Sequence, residues 1–147
     1  MNNQIITITG TEADAPAEEF FIKISGLNKA GDKYTRMRRQ GMEIRERIRN
    51  RITLRAIVSS FPGAAIKRNT ASLRGISFEC NAFQRLNPGH VRGLYAFILT
   101  AGHLEEDRDA SILDQLYTDI WGTAYVDAGL TVLKQHVERD LFESAAR

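Results

Sequence analysis

KYTRMRRQGMEIRERIRNRITLRAIVSSF, residues 33–61, is the stretch on which the reading of the fold turns. Its first part has a helical period: Tyr34, Met37, Gly41, Ile44, Ile48 and Ile52 recur at steps of three and four, one face of an α-helix. Arg36, Arg38, Arg39, Arg45, Arg47 and Arg49 fill the remaining faces, so an arginine-rich amphipathic helix is expected over about residues 33–50. Glu43 stands four before Arg47 and Glu46 three before Arg49, pairs that relieve only part of the repulsion. Beyond Asn50 two periods compete. Leu54, Ile57, Val58 and Phe61 prolong the helical stripe, whereas Ile52, Leu54, Ala56 and Val58 alternate as in a strand. Both readings stand until Pro62 and Gly63 end the element.

Upstream, residues 4–9 (QIITIT) and 19–25 (EFFIKIS) are rich in β-branched and aromatic residues, and in the second Phe20, Ile22 and Ile24 alternate with Phe21, Lys23 and Ser25. They read as an N-terminal β-hairpin joined by a long connection, residues 10–18, containing Pro16. GLNKAGD at 26–32 breaks the chain, with Asp32 placed to cap the helix that follows.

Downstream, AAIKRNTAS at 64–72 reads as a basic loop or short extended piece. Ile76, Phe78, Cys80 and Ala82 then alternate with Ser77, Glu79 and Asn81, which predicts a strand over about 74–83 with Cys80 on its inward side. Asn87 before Pro88 has the form of a helix start. Val91, Leu94, Tyr95, Ile98 and Leu99 follow at helical spacing in an almost wholly apolar surround, predicting a central buried helix that stops at Gly102. After the acidic EEDRD at 105–109, Ser111 and Asp114 are spaced as a capping pair. Leu113, Leu116, Tyr117, Ile120 and Trp121 mark one further helix, with a break or a kink at Gly122, and Leu130, Leu133, Val137 and Leu141 mark a last one. The expected architecture is α+β: a small antiparallel sheet of about three strands packed against three or four helices, as a single domain over residues 1–147 with a helical C-terminal part at about 88–145.

Composition fits a folded protein. Its 147 residues are 43% hydrophobic and 26% charged, with three prolines and eleven glycines, enough for a core and little for disordered linkers. A single cysteine excludes an intramolecular disulfide framework and suits a cytoplasmic location. MNNQIITITG lacks the basic and apolar regions of a secretory signal, and the apolar run Leu94–Ala101 is far too short to cross a bilayer, so no membrane association is expected.

Charge is segregated. Residues 33–55 hold nine basic side chains (Lys33, Arg36, Arg38, Arg39, Arg45, Arg47, Arg49, Arg51 and Arg55) against Glu43 and Glu46, in a chain of formal net charge +2. Such a surplus arises either as an exposed anion-binding face or as one of two complementary surfaces that meet within the chain or between copies.

Residues able to carry catalysis are sparse. His90, His103 and His136 form no short metal-binding spacing with one another or with Cys80. Cys80 with His90 is the one nucleophile and base that can be paired. No nucleophile elbow, Walker sequence or dinucleotide glycine motif occurs, and Glu105, Glu106, Asp107 and Asp109 fall in one polar connection that reads as solvated. The expectation is a non-enzymatic binding protein with no catalytic residue, no metal site and no cofactor. Its partner-binding residues would be Arg36, Arg38, Arg39, Arg45, Arg47, Arg49 and Arg51, extended by Lys67, Arg68 and Arg74, because guanidinium groups grip phosphate oxygens in bidentate fashion. The partner expected first is nucleic acid or a nucleoprotein complex, held by its backbone, although no helix-turn-helix, RRM, KH or zinc-finger pattern is present. The alternative is a protein–protein interaction module: an adaptor, an assembly subunit that meets an acidic protein surface or forms a homo-oligomer, or a small phage or mobile-element type of inhibitor that blocks a larger nucleoprotein complex.

Overall fold

The computed structural model describes residues 3–105 and 107–146. Of the acidic connection singled out above, Glu106 lies outside the described residues. Nine elements follow in order: β1 (Asn3–Ile8), α1 (Gly10–Ser25), α2 (Asp32–Ile48), β2 (Leu54–Pro62), β3 (Ile66–Lys67), β4 (Thr70–Leu73), β5 (Ile76–Glu79), β6 (Gly93–Thr100) and α3 (Ile112–Ala145). The strands form two antiparallel three-stranded sheets, ordered β1-β2-β6 and β3-β4-β5, so the fold is α+β as expected. No helix among the described residues is long and apolar enough to cross a membrane.

The N-terminal hairpin is replaced by a strand and a helix: EFFIKIS at 19–25 lies in α1. Thr9 caps that helix, its Oγ1 accepting the Glu12 N–H (3.2 Å) while Glu12 Oε2 accepts the Thr9 N–H (2.9 Å), a closed capping box. Ala13, Ala17 and Phe21 recur every four residues and are fully buried. This helical stripe overrides the β propensity of Phe20, Ile22 and Ile24, and it holds Pro16 inside the helix despite the hydrogen bond a proline removes. Gly26, at φ +70°, ends the helix in the left-handed conformation.

The arginine-rich helix forms as α2, followed by a single 3-10 turn at Arg49–Arg51. Its cap position is Gly31, and Asp32 sits in the first turn, where a carboxylate suits the helix dipole. The competing periods after Asn50 resolve as a strand: Leu54, Ala56 and Val58 are buried while Arg55 and Ile57 are exposed. β3 and most of β4 fall in 64–72, read as a basic loop or short extended piece, and with β5 they form a short meander. Lys67 opposes Thr70 and Leu73 opposes Ile76 across two-residue turns. β5 coincides with the core of the expected strand, but pairing stops at Glu79, and Cys80 is exposed rather than inward.

Two helical expectations are corrected. Leu94–Leu99 belong to β6, because Asn87–Pro88 yields only a short 3-10 turn (Pro88–His90), and an apolar run without a polar face carries no helical period to set against pairing with β2. The break at Gly122 does not occur, and α3 runs through it for 34 residues. Ser111 does cap this helix, accepting the Asp114 N–H at 3.1 Å.

By its contacts the chain divides into two compact units, one of Met1–Ile5 with Ile57–Ile98 and one of Ile6–Ala56 with Leu99–Arg147. Strands β1, β2 and β6 each contribute residues to both. The helical unit holds most of the core. Phe21 stacks flat on Trp121, with ring centroids 4.1 Å apart and 7° between planes, while Tyr117 meets Phe21 edge-on at 5.7 Å. Trp121 Nε1 donates to the Gly41 carbonyl at 2.8 Å, and a Cβ at position 41 would lie 2.5 Å from Phe21 Cζ. The sheet unit is thinner, with Val58, Ile66, Ala71 and Leu73 as its buried hydrophobic residues.

The same substitution at two helical glycines should have opposite signs. Gly41→Ala forces the Phe21 ring aside and is expected to cost about 1–3 kcal/mol, whereas a Cβ at Gly122 meets Leu104 at an ordinary 3.5 Å, so Gly122→Ala should stabilise by roughly 0.5–1 kcal/mol. Urea denaturation of the two variants checks this. A second expectation concerns acid. The Thr9 N–H, then the Thr9 hydroxyl and His136, hold the Glu12 carboxyl below its ordinary value. Its contribution is therefore complete above the ordinary carboxylate range and is lost as pH falls through the depressed folded value. Glu12→Gln should flatten that part of a stability-versus-pH curve measured by circular dichroism.

Candidate functional site

The arginines of α2 divide by face, and their partners are acids and carbonyls of the same helical unit. On the face toward α1, Arg45 Nη1 meets Glu18 Oε2 at 3.3 Å and Arg49 Nη2 meets Asp14 Oδ2. The pairs 45–18 and 49–14 step four residues on each helix in opposite directions, which makes α1 and α2 antiparallel with one charged rung per turn. Nearer the connection, Arg38 Nη1 donates to the carbonyls of Leu27 (2.6 Å) and Lys29 (2.9 Å), in the turn between α1 and α2. Arg45 is 14% exposed in its side chain and lies over Trp121, 5.5 Å from the ring centroid. Toward α3, Arg47 Nη1 reaches Asp114 Oδ2 at 3.5 Å, and Gln40 Nε2 donates to the other oxygen of the same carboxylate at 2.9 Å.

Asp14 serves two helices. It accepts from Arg49, and its Oδ1 accepts the Tyr125 hydroxyl at 2.7 Å. Burial, then the hydrogen bond and charge of Asp14, push the Tyr125 phenol well above its ordinary range, so it stays a neutral donor. Burial alone also raises Tyr117, whose hydroxyl has no hydrogen-bond partner among the described residues.

Arg38, Arg45, Arg47 and Arg49 are thus engaged within the protein. The side chains of Arg36, Arg39 and Arg51 have no hydrogen bond or ion pair among the described residues, nor do those of Lys29 and Lys33, whose ammonium groups stand 5.7 and 6.0 Å from the Tyr34 ring centroid. Arg51 instead lines a cleft of about 210 Å³ with Arg47, Glu105, Asp107, Asp114 and Asp119, a mixed-charge setting. Lys67, Arg68 and Arg74 belong to the other unit. Arg68 and Arg74 are turn residues with φ of +54° and +49°, and Arg74 Nη2 donates to Asn3 Oδ1 at 3.0 Å.

The sheet unit carries a surface that the charge pattern did not disclose. Ile57, Ile76, Phe78, Leu86, Tyr95, Phe97 and Ile98, each 41–69% exposed, line one groove of about 920 Å³. β5 and β6, both edge strands, contribute Ile76, Phe78, Tyr95, Phe97 and Ile98 to it. Its few polar lining groups come from Asn3, Ser59, Arg74 and Glu79. Assigning 91–99 to a buried helix hid these residues. The available signal was the run GLYAFILT, which has no charge and no proline, beside the odd-numbered face of β2.

Cys80 and His90 are both exposed, with no hydrogen bond between them among the described residues. No group of three or more His, Cys, Asp or Glu side chains among the described residues is placed to hold a metal ion. No protein-family model matches the chain, and neither the curated proteins nor the solved structures give a match to it.

The division of the arginines has a stability signature. Arg45→Ala removes both the rung to Glu18 and the cover over Trp121, and is expected to cost about 1–2 kcal/mol. Arg36→Ala and Arg39→Ala should each stay within about 0.5 kcal/mol of wild type, as substitutions on exposed faces do. Thermal melts of the three variants would separate the two classes.

Proposed function

We propose that the protein acts by binding rather than by catalysis, as a protein–protein interaction module whose contact surface is the apolar groove of the sheet unit. One observation carries this reading: seven large hydrophobic side chains lie exposed along a single groove. An exposed apolar surface gathered in one groove on a folded domain marks a site of interaction with another molecule. Leaving such a surface in water is unfavourable, and a partner that covers it gains the hydrophobic free energy of its burial. The arginine ladder supports the same reading indirectly, since four of its members serve the protein's own α1, α3 and connecting carbonyls. An adaptor, an assembly subunit and an inhibitor of a larger complex all fit this description, acting from the cytoplasm.

A second reading rests on a separate observation. Lys29, Lys33, Arg36 and Arg39, on the first half of α2 and the turn before it, carry positive charge unmatched by any carboxylate among the described residues, beside the Tyr34 ring. This smaller patch suits nucleic acid contacted through phosphates with one stacked base, so affinity would fall steeply with salt.

Affinity capture from host lysate with wild type, Phe78→Lys/Phe97→Lys and Arg36→Glu/Arg39→Glu, alongside anisotropy titrations with labelled DNA and RNA, tests both. The groove reading expects loss of the captured protein with the first variant only. Loss confined to the arginine variant, with salt-sensitive nucleic-acid binding by wild type, would replace it by the second reading.

A further inference from the structure

We infer that the groove's partner is a second copy of the chain, joined through antiparallel pairing of β6 with its counterpart across a two-fold axis; this rests on the groove being a protein-binding surface. β6 hydrogen-bonds to β2 along one edge, and no strand among the described residues pairs with the other. A free edge in a monomer is normally blunted by a lysine, a proline, a bulge or a covering element. GLYAFILT has no charged residue and no proline over eight positions. Exposure is also distributed as an interface requires: Tyr95, Phe97 and Ile98 are 41%, 47% and 69% exposed on a strand that is not at a chain terminus.

Self-pairing asks that a strand be complementary to its own reverse, and β6 meets this condition. An antiparallel match centred on Ala96 sets Tyr95 opposite Phe97 of the second copy on one face and Leu94 opposite Ile98 on the other. The first is an aromatic pair and the second an aliphatic one, and no like charges meet. Because the match is two-fold, each copy both offers and receives the same residues, the isologous arrangement of most small homodimers. A charged peptide would find only Arg74 and Glu79 as charged groups among the groove's lining residues, with Arg74 already bonded to Asn3.

Sedimentation velocity and light scattering of the full chain from about 1 to 300 μM cover the range in which such interfaces associate. Wild type is expected to approach twice the 16.5 kDa of the chain. Tyr95→Lys/Phe97→Lys is expected to keep its circular dichroism and melt while associating on the order of 100-fold more weakly. The single cysteine, exposed at the groove, gives a readout that needs no folded variant. Spin-labelled Cys80 should show dipolar coupling between copies, and mixing with excess unlabelled wild type should abolish it. A wild type that stays monomeric and uncoupled throughout overturns the second copy as occupant. If Phe78→Lys/Phe97→Lys nonetheless blocks capture of another protein, the groove reading survives that failure, and if it does not, both fall. A dimer unaffected by Tyr95→Lys/Phe97→Lys overturns pairing through β6.

Discussion

Phe21 fills the space that a side chain at position 41 would need, and the helical unit is organised around that exchange. The absence of a Cβ lets the Phe21 ring of α1 lie against the backbone of α2, with the flat face of Trp121 on the ring. Trp121 then donates to the carbonyl of Gly41 itself, so one residue sets both the spacing of the α1–α2 pair and the register of α3 upon it. Tyr125, one turn further along α3, is carried by that register to Asp14, which also holds Arg49. Aromatic stacking and a buried hydrogen bond are each modest in isolation. Their effect here is geometric, because every charged contact between the helices depends on the distance they set.

Arg38, Arg45, Arg47 and Arg49 meet acids and carbonyls of their own unit, while Arg36 and Arg39 stay exposed. Arginine suits the part: its fork reaches two carbonyls at once from position 38, and its flat, weakly hydrated head at position 45 can cover an indole while still meeting Glu18. Lysine would do neither as well. A basic surplus in a sequence therefore records where acids must be met as well as where an anionic ligand could be. In this chain the acids spaced four apart at 14 and 18 answer the arginines spaced four apart at 45 and 49.

Legibility followed the strength of the local period. The α+β class, α2, the capping of α3 by Ser111 and the centre of β5 were readable because their patterns have a polar side and an apolar side. α1 was misread because Phe20, Ile22 and Ile24 alternate by accident, while its real signal, small Ala13 and Ala17 in step with Phe21, is quiet. β6 was misread because a strand with neither face polar has no period at all. The same uniformity concealed the groove, since apolar residues without a pattern are taken for core. Arg68 and Arg74 sit exposed in the two turns of the β3–β4–β5 meander, at positive φ.

The order in which the chain is made gives the aromatic stack a further consequence. Arg45 and Glu18 are 27 residues apart, whereas Trp121 and Gly41 are 80 apart, a difference worth only about 1 kcal/mol in loop-closure entropy. In time the difference is larger. Once Ile48 has been synthesised, the α1–α2 hairpin has all its residues, yet Trp121 is still some seventy residues away, roughly 4–15 s at ordinary rates of translation. Throughout that interval the open side of Phe21 has nothing to lie against. The hairpin on the ribosome is a charged ladder with an uncovered aromatic flank, and this is when the growing chain is most open to wrong contacts and to chaperones.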